Sequence, residues 1–211
     1  MDSKKPTAGI ILAAGMSNRM NYPKQLIRFK EKFLIEHVLD ASLESQLAVV
    51  VLVLGHQHHT ILDALGEKIR RSRLKIEINS EYQEGMSSSI RTGLREVERR
   101  FPSVMFLLGD QPLVDAGFIN RLLDQFWTSD KSICVPVFQG KRRNPTLFTR
   151  RWYDALLKIV GDVGARHLIE SNPKELLQVD VEDAYRFQDI DTESDAAILK
   201  AMTPPVSPIP Q

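Results

Sequence analysis

The chain has 211 residues, with 28 Lys and Arg against 27 Asp and Glu. Its formal net charge of +1 provides no basic field to draw it to nucleic acid or to an anionic membrane. A hydrophobic content of 43% can bury one sizeable core, and a lone Cys134, set in the apolar run SICVPV, excludes an internal disulfide framework. The first residues, MDSKKPT, are polar, and the longest apolar run, LAVVVLVLG, is too short to span a bilayer, so a soluble cytoplasmic protein is expected.

Apolar runs alternate with segments of helical period from the start of the chain. AGIILA (8–13) reads as a strand and FLIEHVLDASLESQ (33–46) as a helix, followed by AVVVLVL (48–54) as strand and HTILDALGEKIRRS (59–72) as helix. LKIEI (74–78) and MSSSIRTGLREVERR (86–100) repeat the pair, as do SVMFLLG (103–109) and DAGFINRLLDQFWTS (115–129), before a last strand in SICVPV (132–137). Strands as apolar as VVVLVL are covered on both faces, so the pattern specifies a single α/β domain, a three-layer α/β/α sandwich around a mostly parallel sheet. Beyond residue 138 the regularity breaks into a Pro-containing segment, two helical stretches and an acidic region with seven acids between Asp180 and Asp195. The domain is expected to fill 1–202, with 203–211, which carry four prolines, as a disordered tail.

Ligands of such sheets sit beyond the carboxyl ends of the strands, where the strand order reverses. There the first strand runs into Leu12, Ala13, Ala14 and Gly15, small residues that let a ligand approach the backbone. Arg19, Lys24, Arg28, Lys30 and Lys32 follow with only Glu31 as an acid, which makes an anion cradle for phosphates. GxGxxG and GxxxxGK[ST] are both absent from the segment, disfavouring a dinucleotide-binding dehydrogenase or a P-loop NTPase. His56, His58 and His59 in GHQHHT lack the i, i+4 spacing of a helical zinc pair and read as a polar turn.

LAAGMSNRM followed by PKQL resembles the nucleotide-binding signature of the MobA-like nucleotidyltransferases, with Asn21 where a glycine is usual. The resemblance implies a Rossmann-like nucleotidyltransferase fold in which Leu12 to Gly15, Arg19 and Lys24 hold the triphosphate and Arg19, Lys24 and Asp110 are catalytic. EGMSSSIRTGL resembles the segment that receives the nucleobase, through Gly85, Ser87 and Ser88; either serine would equally serve as a helix cap. Asp110 of LLGDQPLV and Asp191 of DIDT are the implied ligands of Mg²⁺, a hard cation that commonly uses one or two carboxylates and leaves its other positions to water and phosphate. The acidic segment reads alternatively as a solvated face with Thr192 capping a last helix.

GKRRNPTLFTRR matches the acceptor-side G-x-P-x-LF region through Asn144, Pro145 and Phe148, with Arg143 where glycine is common. VGDVGARHLI resembles a GDxGAR motif in which Gly161, Asp162, Gly164 and Arg166 would face the acceptor, although Asp162 could act as a cap alone. Within the family, LAAG with DQP resembles the molybdopterin cytidylyltransferases. That branch implies transfer of CMP from CTP to molybdenum-bound molybdopterin, the product passing to an apo-molybdoenzyme of the xanthine dehydrogenase type. The alternatives are another phosphorylated acceptor such as methylerythritol phosphate or a sugar phosphate, GTP-dependent guanylyl transfer, or a non-catalytic maturation factor. No nucleic acid or membrane partner is expected.

Overall fold

A computed structural model describes residues 5–16, 22–183, 185–190, 192, 194–195 and 197–198. Arg19, Asp191 and the proline-rich 203–211 lie outside the described residues. In chain order the strands and helices are β1 (Thr7–Ala13), the two-residue β2 (Arg28–Phe29) and β3 (Lys32–Phe33), α1 (Leu34–Glu44), β4 (Val49–Leu54) and α2 (His58–Leu65). They continue with β5 (Leu74–Ile78), α3 (Met86–Val97), β6 (Ser103–Leu108), α4 (Ala116–Thr128), β7 (Ile133–Phe138) and the short β8 (Lys141–Arg142). The last are β9 (Thr146–Thr149), α5 (Tyr153–Leu156), α6 (Arg166–Ser171) and β10 (Leu176–Asp180).

The main sheet runs β10-β7-β9-β6-β1-β4-β5, with β8 paired to β7. β1 lies parallel between β4 and β6, and the chain moves outward from it to β5 before crossing to β6 on the other side. That reversal opens a crevice beyond the carboxyl ends of β1 and β6. Period-2 alternation divides the core into two layers. Ile11 and Ala13 pack on one face with α1, α2 and α4, while Ala8 and Ile10 pack on the other with α3, α5 and α6. The three-layer α/β/α architecture and the mostly parallel sheet follow from this arrangement.

Three features depart from the expectations drawn from the sequence. The second helix stops at Leu65, because Gly66 takes φ 51° and the chain continues as a short 3₁₀ turn over Gly66–Ile69. The Pro-containing segment forms β9, antiparallel to both β6 and β7 and wedged between them. Leu147 and Phe148 are therefore fully buried core residues, so Phe148 belongs to the sheet rather than to an acceptor surface. Finally, the basic residues after Lys24 form the β2–β3 hairpin: the Arg28 guanidinium lies 4.9 Å from the Phe33 ring centroid, Lys30 Nζ 5.4 Å from that of Phe29, and Lys32 pairs with Asp40 at 2.6 Å. Their apolar stems cover the hairpin, and they do not join the phosphate cradle.

Candidate functional site

Two cavities adjoin at the carboxyl edge of the sheet and share Leu12, Met86, Leu108 and Asp162. The first, of about 440 Å³, is lined by the end of β1 and the loop after it, Leu12 to Met16, by Lys24, Gln25 and Asp110, and by the Tyr82–Met86 segment with Ser89. The loop is shaped by the strand it leaves. Gln25, only 2% exposed, donates from Nε2 to the Ala13 carbonyl at 2.8 Å, which fixes the PKQL segment under the end of β1. This sets Lys24 against Asp110, which leaves β6 just beyond Leu108, and the two form an ion pair with side chains 23% and 15% exposed.

Gly15 has an ordinary φ, and no described atom lies within 4 Å of the place a Cβ would occupy. Neither backbone conformation nor packing among the described residues requires glycine there.

At the other end of the cavity, α3 begins at a left-handed Gly85 (φ 92°) with no side-chain cap of its own. The cap comes from a distant loop: Met86 N donates to Asp162 Oδ1 at 2.9 Å and Ser87 N to the Gly161 carbonyl at 3.1 Å. A carboxylate at a helix N-terminus is also favoured by the helix dipole. Arg91 holds the same contact from below, donating to the Ile159 carbonyl at 2.9 Å and pairing with Glu84 at 2.6 Å.

Ser87 and Ser88, expected at the nucleobase, are 0% and 1% exposed and face inward. Ser88 Oγ donates to the Gly85 carbonyl and accepts from Asn79 Nδ2, both at 2.8 Å, and Ser89 is the serine that lines the cavity. Neither expected serine is the cap, because Gly85 occupies that position and Asp162 supplies the acceptor.

The second cavity, of about 660 Å³, has an apolar floor that includes Ile90, Phe106, Val135 and Ile169. Lys141, Arg142, Arg143 and Arg166 stand around it against the carboxylates of Asp162 and Glu170. The rim is built by the turn between β7 and β8, where Gln139 (φ 48°) and Gly140 (φ 72°) both take left-handed conformations, as a two-residue hairpin requires. Of the residues expected on the acceptor side, Asn144, Asp162, Gly164 and Arg166 line this cavity. Pro145 is buried behind it and does not. Arg150 and Arg151 point elsewhere, to the Phe101 carbonyl and to Glu175.

Asp191 lies outside the described residues, and its neighbours are tied to the segment that carries Asp110: Ile190 N donates to the Asp110 carbonyl at 3.2 Å, and Gln111 Nε2 to Asp189 Oδ1 at 2.8 Å. Thr192 and Asp195 cap each other reciprocally, as the sequence suggested. Among the described residues no group of three or more His, Cys, Asp or Glu side chains is placed to hold a metal ion, and no helix is long and apolar enough to cross a membrane. Sequence reasoning missed Gln25 and Tyr82 in the first cavity. Gln25 was visible only as part of PKQL, and Tyr82 carried no signal of its own.

A doubly wound sheet with a glycine-containing loop and a lysine–aspartate pair at its switch point, and a basic cavity alongside, has the layout of a nucleotide-handling enzyme. The family model described as "MobA-like NTP transferase domain" matches residues 9–178, and the chain belongs to that family of nucleotidyltransferases. The purine catabolism protein PucB of Bacillus subtilis is 27% identical over 190 residues, 87% of this chain and 91% of that protein. The probable molybdenum cofactor guanylyltransferase of Bacillus mycoides is 30% identical over 137 residues, 64% of each chain. Among solved structures, Rv0371c of Mycobacterium tuberculosis matches with a TM-score of 0.80 at 25% identity, covering 94% of this chain and all of that one; its complex with manganese gives 0.77 at 23%.

Proposed function

We propose that the chain transfers CMP from CTP to the phosphate of molybdenum-bound molybdopterin, forming molybdopterin cytosine dinucleotide and releasing pyrophosphate. The observation that carries this reading is the pair of adjoining cavities, one ending at Lys24 and Asp110 and the other ringed by cations, with four residues common to both. A donor triphosphate in the first and an anionic acceptor in the second would meet where Leu12 and Leu108 divide them. LAAG and DQP favour the cytidylyl branch, while the guanylyltransferase relative keeps GTP as the second reading.

In the proposed reaction an oxygen of the acceptor phosphate bonds to the α-phosphorus as the bond to the bridging oxygen breaks, and pyrophosphate carries away that electron pair. The nucleophile is already anionic, so catalysis needs positioning and charge neutralisation, with no dedicated base. Lys24, and in this reading Arg19, neutralise the phosphates. Gly15 lets them approach the backbone, and the joined Gly85 and Asp162 loops orient the base end. Asp110 fits Mg²⁺ as a hard oxygen donor on the cavity wall, beside which the Lys24 ammonium already lies as a cation, and Asp191 would be the second ligand. When bound, the ion supplies charge neutralisation at the α-phosphate. The product is read as passing to an apo-molybdoenzyme of the xanthine dehydrogenase type, in the cytoplasm.

Pyrophosphate release with CTP, GTP and ATP in turn, with and without molybdenum cofactor, tests the reading. CTP turnover dependent on the cofactor is expected. GTP preference overturns the cytidylyl assignment, and capture of an apo-molybdoenzyme with no turnover of any nucleotide overturns the enzymatic one.

A further inference from the structure

The main sheet ends in β10 on one side and in β5 on the other. An open strand edge offers a row of unpaired amides and carbonyls to any extended chain, and proteins usually guard it. At the β10 edge Arg121 reaches over from α4 and donates to the Asp180 carbonyl at 3.0 Å. No comparable contact reaches the outer edge of β5. Among the described residues β5 pairs with β4 alone, and its Ile78 is a large apolar side chain left 41% exposed.

The phase of the β4–β5 ladder decides which groups face outward. Val50 N donates to the Arg73 carbonyl at 2.8 Å and Asn79 N to the Leu54 carbonyl at 2.7 Å, so the odd-numbered residues of this stretch bond β4. The backbone groups of Leu74, Ile76 and Ile78 point away from the sheet. Leu74 N turns back to the Arg71 carbonyl at 3.0 Å, which leaves the Leu74 carbonyl and both backbone groups of Ile76 and Ile78 for a partner.

Laid antiparallel against a second copy about a two-fold axis at Ile76, these positions coincide. Ile76 meets its own counterpart and Leu74 meets Ile78, each pair with outward-facing groups on both strands, as hydrogen-bonded pairs require. Lys75 then stands opposite Glu77 in both halves. The stretch RRSRLKIEINSEYQE (70–84) sorts its charges about the same centre, with Arg70, Arg71, Arg73 and Lys75 before Ile76 and Glu77, Glu81 and Glu84 after it. Antiparallel self-pairing sets the basic half against the acidic half, whereas parallel pairing would set like against like. The groove between β5 and α3, a cavity of about 340 Å³, has the matching character, with Glu77, Glu81 and Glu96 against Arg95 on its walls.

We infer that the chain forms a two-fold dimer in which β5 pairs antiparallel with β5 of a second copy, so that one sheet continues through both subunits. The sorted charge selects this occupant, because a strand from another protein would have to supply the same order of acids and bases. No residue of β5 lines either of the two large cavities, so the joint is separate from the proposed nucleotide and acceptor sites.

Sedimentation of the full chain tests this directly. The wild type should run as a particle of twice 24.0 kDa that dissociates on dilution. Glu77→Lys places like charges opposite each other twice and should weaken the dimer about tenfold, the sum of two unfavourable cross-strand pairs. Lys75→Glu combined with Glu77→Lys restores opposite charges in reverse order and should recover the dimer. Ile78→Pro deletes an outward amide that makes no bond within the chain, so it should abolish the dimer and leave the melting temperature of the diluted monomer near wild type. A wild type that remains monomeric at about 100 µM, or a dimer equally tight in Glu77→Lys and Ile78→Pro, overturns the inference.

A disulfide reads the register without relying on charge. Lys75 and Glu77 would form a non-hydrogen-bonded pair with Cα atoms about 4.5 Å apart, within disulfide reach, whereas Lys75 and its own counterpart would be more than about 7 Å apart. Lys75→Cys combined with Glu77→Cys should give a covalent dimer on mild oxidation, Lys75→Cys alone should not, and the buried Cys134 does not compete. No bridge in the double variant, or one as efficient in the single variant, overturns the inference.

Discussion

Lys24 and Asp110, 86 residues apart in sequence, form an ion pair at the carboxyl edge of the sheet, one held beneath the end of β1 and the other just beyond β6. The pair brings the chain's two most chemically loaded segments, PKQL and GDQP, to one wall of the first cavity. Partly exposed ion pairs contribute about 0–1 kcal/mol to stability, whereas a cation aimed at developing phosphate charge contributes about 3 kcal/mol to a transition state. Lys24→Ala and Asp110→Ala should therefore each lower kcat about a hundredfold and leave the thermal midpoint within a few degrees of wild type. A kcat within threefold of wild type in either variant removes that residue from the mechanism.

Gly15 and Gly85 make opposite predictions. Gly85 lies at φ 92°, ψ −173°, a region essentially reserved for glycine, and a Cβ there would come within 2.8 Å of the Gly161 carbonyl carbon and 2.9 Å of Asp162 N and Cα. Gly85→Ala should destabilise the chain by about 1–3 kcal/mol, roughly a 6 °C fall in melting temperature, as the two loops are forced apart. Gly15→Ala meets no described atom, so its melting temperature should stay near wild type while KM for CTP rises. Calorimetry beside a CTP titration separates the two, and a large stability loss in Gly15→Ala contradicts the ligand-approach role given to this glycine.

The parallel half of the fold was legible because buried central strands and amphipathic helices leave long periodic signals. The third quarter was not. β9 has four residues, follows a proline and owes its place to pairing with β6 and β7, which local pattern does not encode. Lys24, Gly15 and Asp110 stood out as unusual residues at strand ends, and the structure brings all three to the wall of one cavity. Arg28, Lys30 and Lys32 were misassigned because charge density alone does not tell a cradle from a hairpin whose apolar stems are covered. The cap on α3 was illegible for a different reason: its acceptor, Asp162, lies 76 residues away from Met86, and a glycine at the helix start gives no hint of it.

Cys134 offers a direct check on the core. The side chain is fully buried in β7, and burial pushes its thiol up to about 12. At pH 8 only about one thiol in ten thousand is ionised, and that one is shielded from reagent. A disulfide-exchange reagent should release no chromophore from the native protein and one equivalent after denaturation. Rapid labelling of the native chain would mean that β7 opens on the timescale of the assay.

Glu36 links helix α1 to pH. Burial alone would raise its pKa, but the Lys68 ammonium at 2.5 Å and the Phe33 amide, donating at 2.9 Å, hold the ionised form and leave the pKa below the ordinary carboxylate value. A carboxyl depressed in the folded state stabilises the fold at pH values above its unfolded pKa, and that contribution disappears as pH falls through the folded value. Glu36→Gln keeps the shape of the side chain while removing the charge, so it should lower stability by about 1 kcal/mol at pH 7. The gap between variant and wild type should close as the pH is taken below the carboxylate range, where both side chains are neutral. Urea midpoints measured at pH 7 and in acid would show this convergence, and a gap that widened in acid would mean that Lys68 and the Phe33 amide do not favour the charged form.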